Sequence, residues 1–233
     1  MPTSMLTLQE ILEKHDGFAP VINSAKPFKK LDFSATNEAL LQRDLSETSI
    51  FSDFVFKEML VGNAFVGIGG YAENRIIYRQ RKYFNNEAGQ PRSIHLGTDI
   101  WADAGEPVYA PLDATVHSFA FNNHYGDYGP TIILAHTLEN HTFYTLYGHL
   151  SVASLDGLYV GKNISAHQHF AAIGSYPKNG DWPPHLHFQI IEDIGDFKGD
   201  FPGVSSIQDQ EYYLNLCPDP NLILRIKEND PPD

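Results

Sequence analysis

From about Val61 onward, short apolar runs alternate with clusters of Gly, Pro, Asn and Asp. Runs of about 4–8 residues bounded by turn residues are too short for packed helices and read as strands. The strand-like runs are Ala64–Tyr71, Ile76–Tyr78, Pro107–Ala110, Ala114–Phe121, Thr131–Ala135, Thr142–Tyr147, Phe170–Ile173 and Leu186–Ile191. No short-period repeat and no low-complexity segment interrupts them. Many short strands with turns between them predict a mainly β fold, an antiparallel sandwich or partly open barrel.

The first sixty residues have a different texture. Leu8, Ile11 and Leu12 follow helical spacing, Thr7 with Glu10 forms a capping-box pattern, and Gly17 and Pro20 end the segment. Ser34–Leu45 and Asp53–Leu60 are two further short helix candidates. Residues 1–60 therefore read as a helical N-terminal extension packed on a β domain at 61–195. Residues 196–233, rich in Asp, Pro and Asn, read as a C-terminal tail packed on or trailing from the domain, with one short helix and fraying at Asn229–Asp233.

Bulk chemistry excludes some partners. The net charge of −13 argues against nucleic acid, whose phosphates need clustered Lys and Arg. It argues equally against electrostatic docking on anionic surfaces. No stretch approaches the ~18 apolar residues of a membrane span. Met1–Asp16 lacks a basic region followed by an apolar one, so no secretory signal is expected there. The compartment stays open between the cytoplasm and a mature or otherwise exported form, in the periplasm or cell wall if the substrate lies there. With Cys217 the single cysteine, no internal disulfide forms.

The chain has 11 histidines, most of them between His95 and His187. His185 and His187 flank Leu186 at the start of an apolar run. On a strand they share a face, while Leu186 and Phe188 point into a core. Alone, the pair is also what two surface histidines on an edge strand look like. His95 and Asp99 lie four apart. Extended, their Cα atoms would be roughly 13 Å apart, so they share an ion only if the chain bends at Leu96-Gly97-Thr98. His149 follows Gly148, another place where a strand can end. Together, His95, Asp99 and one of His185/His187 make a two-nitrogen, one-oxygen donor set of the kind that holds a catalytic zinc with an open position. The remaining imidazoles are then available for proton transfer and oxyanion stabilisation in amide hydrolysis.

His95-Leu96-Gly97-Thr98-Asp99, then Tyr147-Gly148-His149-Leu150-Ser151, then Pro184-His185-Leu186-His187-Phe188 together resemble the M23 family of peptidoglycan endopeptidases. The stretches Asp103–Val116, Asp127–His136, Val160–Ile164 and Ala172–Gly174 resemble the family's intervening strands and loops, so the likeness covers about residues 85–195. It implies a mostly antiparallel β fold with a groove over the sheet. It implies Zn²⁺ ligation by His95, Asp99 and His187, and catalytic roles for His149 and His185. It also implies a peptide bond in bacterial cell-wall stems or cross-bridges as substrate. The chain departs from the family's small-residue loop before the last motif: Trp182 stands there, as a packing aromatic or else narrowing the groove or stacking on a substrate. Two alternatives remain at this level: a non-catalytic binding or activator module of the same fold, and a zinc hydrolase acting on a non-wall substrate.

Overall fold

The computed structural model describes residues 6–80, 84 and 91–227. The expected fraying at Asn229–Asp233, and residues 85–90 of the family likeness, lie outside these.

Among the described residues the strands are β1 Phe28–Leu31, β2 Val66–Gly69, β3 Arg92–His95, β4 Thr98–Trp101, β5 Pro107–Tyr109 and β6 Ala114–Asn122, then β7 Gly129–Leu138, β8 His141–Gly148, β9 Asn163–Ile164, β10 His169–Ala172, β11 Leu186–Ile191 and β12 Val204–Ser206. Eight form one large sheet in the order β1-β2-β4-β11-β8-β7-β6-β9, with β10–β5 and β12–β3 as separate two-stranded pairs. The pairing is antiparallel except between β1 and β2, so the sheet is mixed, and it does not close into a barrel. The expectation of a mainly β fold is met.

The long strands β7 and β8 form a hairpin turned at Glu139 and Asn140, both with positive φ (48° and 67°). Two left-handed residues in a two-residue loop match the right-handed twist of the flanking strands. One apolar face of the sheet buries Ile100, Val116, Ile132, Leu134, Phe143, Tyr147, Leu186, Phe188 and Ile190 in the main core. Leu186 and Phe188 point inward, as the alternation around His187 requires.

The N-terminal region differs from its sequence reading. Helix α1 (Leu8–Lys14) carries the Thr7/Glu10 capping box as expected. The Ser34–Leu45 candidate shrinks to α2, Glu38–Leu41, and the Asp53–Leu60 candidate becomes α3 (Thr48–Asp53) continued by a π-helical turn, Phe54–Met59. The segment also supplies β1 to the sheet edge, which alternation over four residues, two of them lysine, did not signal. Ile76–Tyr78 is not a strand: a 3₁₀ turn runs over Ile77–Gln80, and Ile76, Ile77 and Tyr78 are buried. An apolar triplet satisfies a buried turn as well as a strand, because burial rather than alternation drives it.

An aromatic cluster joins this region to the β domain. Phe33, Phe51, Phe54, Tyr78 and Phe84 pack with Trp101 and Trp182. Phe51 lies 5.8 Å from Trp101 and 6.3 Å from Trp182, ring centre to ring centre. Thr48 Oγ1 donates to the Asp181 carbonyl at 2.9 Å, and Tyr125 Oη donates to the Ser46 carbonyl at 2.7 Å. The expected packing role of Trp182 is thus visible: it is 4% exposed.

The C-terminal segment does more than trail. Strand β12 pairs with β3, helix α4 (Gln210–Leu216) packs near it, and helix α5 (Asn221–Leu224) lies against α1.

His136 is buried between the Asp113 carbonyl (3.1 Å from Nδ1) and Thr145 Oγ1 (2.8 Å from Nε2). Burial pushes its pKa down to about 4. The unfolded chain therefore takes up a proton at this site before the folded one does, so stability falls as pH drops from about 6.5 to about 4. Between pH 7 and pH 5 this one group accounts for about 2 kcal/mol of lost stability. His136→Gln is expected to show a smaller drop in urea midpoint over that interval than the wild type. An equal drop would show that His136 is not responsible.

Candidate metal centre and catalytic cleft

Strand register builds the site. In β11, His187 stands opposite Asp99 of β4 on one side and Gly148 of β8 on the other. A carboxylate, an imidazole and the residue preceding His149 therefore lie in one row across three neighbouring strands. The bend required between His95 and Asp99 is present: β3 ends at His95, β4 begins at Thr98, and the two belong to different sheets. Gly97 permits it for a second reason. A Cβ there would sit 2.6 Å from His187 Cε1 and 2.8 Å from the Phe188 carbonyl, so only glycine lets the ring come in.

All five sequence-derived residues converge. His95, Asp99, His187, His185 and His149 are 1%, 2%, 3%, 3% and 6% exposed. His95 Nε2 lies 3.0 Å from His187 Nδ1 and 3.3 Å from Asp99 Oδ1, and His187 Nδ1 lies 3.1 Å from Asp99 Oδ1. Among the described residues this is the one group of three that offers metal-ligand atoms to a shared point. A tetrahedral ion with ligand bonds of 2.0–2.1 Å holds its donors about 3.3–3.4 Å apart, close to the observed triangle.

Proton accounting shows why these atoms need a cation. His95 Nδ1 lies 2.9 Å from the Gly70 carbonyl, which can only accept, so this nitrogen carries the hydrogen. His187 Nε2 lies 2.9 Å from Gln189 Oε1 and likewise donates. In the neutral rings, His95 Nε2 and His187 Nδ1 are then bare lone pairs, facing each other and a carboxylate oxygen. Burial, with Arg75 nearby, pushes the His95 pKa down to about 4, which favours the neutral ring. Burial works against ionisation of Asp99, but its surroundings, with the always-charged Arg75 guanidinium beside it once the rings are neutral, hold its carboxyl well below the usual range. Arg75 does this at every pH. Three acceptors at 3.0–3.3 Å without a proton between them repel, and a divalent cation is the group that fits.

His149 and His185 present themselves differently. His149 Nδ1–H donates to the Asn179 carbonyl (2.8 Å) and His185 Nδ1–H to the Pro183 carbonyl (2.7 Å), leaving both Nε2 atoms free as bases. Their rings are 4.2 Å apart, and His185 Nε2 is 3.9 Å from Asp99 Oδ1. His149 adopts φ of 60°, a left-handed turn that swings its ring out of strand β8 towards the cleft. Trp101 stacks on His185 at 4.2 Å with a 17° tilt and fixes its plane. Burial lowers the pKa of both imidazoles, that of His185 to about 4 and that of His149 well below its ordinary value.

A cavity of about 140 Å³ lies over these groups, walled by Tyr78, Phe84, Tyr128, Trp182, Phe201 and Val204 among others. His124 and Tyr125 are exposed, whereas Tyr128 is buried with its ring 5.1 Å from that of His187. Sequence reasoning missed Arg75, whose Nη1 donates to Asp99 Oδ2 and to Tyr78 Oη and whose Nε pairs with Glu73. It also missed Gln189. Arg75 had no motif context; Gln189, two residues beyond His187 on the same strand face, carried a periodicity signal that could have found it.

Donor set, free bases and cleft lie together in one buried constellation that could hold a divalent metal ion. Residues 93–198 match the family model for Peptidase family M23. No curated protein matches the chain. Among solved structures, the chain is similar to the catalytic domain of the antimicrobial peptidase lysostaphin from Staphylococcus simulans, with 24% identity, 52% of this chain and 80% of that one covered, and a TM-score of 0.36. It is similar to a putative M23 peptidase from Pseudomonas aeruginosa, with 19% identity, coverage of 57% and 45%, and a TM-score of 0.38. It is also similar to a zinc-containing peptidase from Vibrio cholerae, with 26% identity, coverage of 46% and 29%, and a TM-score of 0.32. The chain thus spans less than half of the second and third of these proteins.

Because Gly97 meets both the His187 ring and the Phe188 backbone, Gly97→Ala is expected to destabilise the fold by about 1–3 kcal/mol through overpacking. The urea midpoint measures this, and an unchanged midpoint would show that the strands open there without cost.

Proposed function

We propose that the protein is a zinc-dependent endopeptidase. In this reading His95, Asp99 and His187 hold the ion, His149 and His185 are the catalytic bases, and the substrate is a peptide bond in bacterial peptidoglycan stems or cross-bridges. The observation that carries the reading is the convergence of two bare imidazole nitrogens and a carboxylate oxygen beside two further imidazoles whose Nε2 atoms are free. The substrate class rests on the family whose model residues 93–198 match.

Zinc bound there would polarise the scissile carbonyl and bring the pKa of a water toward ~7. The rest is done by this chain's own groups. One Nε2, of His149 or His185, takes the proton of the attacking water. The resulting imidazolium, its Nδ1–H already given to a backbone carbonyl, has its new Nε2–H to donate to the oxyanion, and then to the leaving amine. The depressed pKa values keep both imidazoles neutral near pH 7, the form that can take a proton. The Trp101 face behind His185 steadies the charged ring while it exists.

A second reading has one observation in its favour. All five site residues are nearly inaccessible and the cleft is aromatic-walled, which suits a slender peptide or a chain end better than a bulky polymer. A zinc hydrolase acting on a smaller, non-wall peptide follows from it. A non-catalytic module is disfavoured, since all five residues keep the orientations chemistry needs. Hydrolysis of purified peptidoglycan against free peptides of defined sequence separates the two enzymatic readings.

Two variants test the roles. His187→Ala is expected to lose bound zinc and peptidase activity together, as is the wild type on chelation, with activity returning on Zn²⁺ addition. Retention of a full equivalent of zinc by that variant would remove His187 from the ligand set. His149→Ala is expected to keep zinc and lose roughly 10²–10⁴-fold in turnover. If it sheds the metal instead, the division between ligands and bases is wrong.

A further inference from the structure

The imidazole of His187 presents Nδ1, not Nε2, to the proposed metal position, and the reason lies one residue pair further along β11. Gln189 is completely buried. Its Nε2 donates to the Pro202 carbonyl at 3.1 Å and to Cys217 Sγ at 3.3 Å. A carbonyl has no hydrogen to give, so Pro202 forces the amide nitrogen to its side and the amide oxygen to the other. Oε1 then faces His187 Nε2 at 2.9 Å and can only accept. The His187 hydrogen must sit on Nε2, and the lone pair on Nδ1 points at Asp99 Oδ1 and His95 Nε2.

We propose that Gln189 is the positioning residue that selects the His187 tautomer, and that the C-terminal segment beyond the family match sets it through Pro202 and Cys217. The inference rests on the zinc reading above and names what makes that site ready for its ion. Pro202 and Cys217 both lie outside residues 93–198. The same segment grips the other nitrogen ligand: Gly203 carbonyl accepts from Leu96 N at 2.9 Å, and Val204 of β12 pairs with His95 of β3. Cys217 is held in turn by Tyr71 Oη, which donates to its carbonyl at 2.7 Å. Both imidazole ligands are thus oriented from one piece of chain, one by strand pairing and one by a relayed hydrogen bond.

Partners of this kind change metal affinity by roughly 10–100-fold when removed. The test uses the full chain and two variants. Gln189→Met keeps length and removes both amide groups; Gln189→Glu keeps an acceptor for His187. ¹⁵N-resolved NMR of the metal-free protein reads the His187 tautomer directly, and competition with a chromogenic chelator reads zinc affinity. The wild type is expected to carry the proton on Nε2. Gln189→Met is expected to lose that preference and bind zinc roughly 10–100-fold more weakly. Gln189→Glu is expected to keep the tautomer and bind more tightly than the Met variant. A wild-type His187 protonated on Nδ1 overturns the proposal, as does a folded Gln189→Met protein with zinc affinity within about threefold of wild type. If the Met variant does not fold, the wild-type tautomer alone decides. A wild type that takes no zinc overturns the metal reading, and the tautomer still decides the role of Gln189.

Discussion

Two imidazole nitrogens and a carboxylate oxygen meet in the interior without a hydrogen between them, and the surrounding structure is arranged to keep it so. Each nitrogen is stripped of its proton by a hydrogen bond on the far side of its ring, to Gly70 in one case and Gln189 in the other. Three lone-pair atoms held within 3.3 Å are unfavourable until a positive charge is placed among them. Arg75 relieves part of this by facing the other oxygen of Asp99, and that leaves Oδ1 turned toward the two nitrogens.

Holding such an arrangement needs a rigid support, and the sheet supplies it. Asp99, His187 and Gly148 are lateral neighbours on three hydrogen-bonded strands, so their relative positions change only if the sheet does. The remaining imidazole of the three, His95, comes from a second, smaller pair of strands and is held against the sheet by the C-terminal segment. The aromatic cluster of the N-terminal region backs Trp101 and Trp182, and these two flank His185 at ring distances of 4.2 and 6.2 Å. Segments on either side of the family match thus contribute to the same cleft: Arg75 and Tyr78 before it, Phe201 and Val204 after it.

Much of this was legible in the residues. Strand alternation places His187 away from Leu186 and Phe188, and Gly97 marks the bend that lets His95 reach Asp99, because both are local properties of a few residues. The strand pairings that bring those pieces together are not local, and no spacing announces that Gly148 lies beside His187. The buried turn at Ile77 was misread for the same reason, since a short apolar run says that it is buried but not what it pairs with, whereas β1, half of it lysine, gave no signal to read. Arg75 was invisible because an isolated arginine reads as surface until its partners Asp99, Glu73 and Tyr78 are seen around it.

The account depends on a divalent ion taking its place among those three atoms. X-ray absorption spectroscopy of the zinc-loaded protein measures this most directly. One equivalent of zinc with two imidazole nitrogens at about 2.0–2.1 Å and oxygen in the remaining positions is what the geometry requires, with the two-nitrogen signal reduced to one in His95→Ala. Zinc that fails to bind, or that shows the same surroundings with His95 removed, would contradict it.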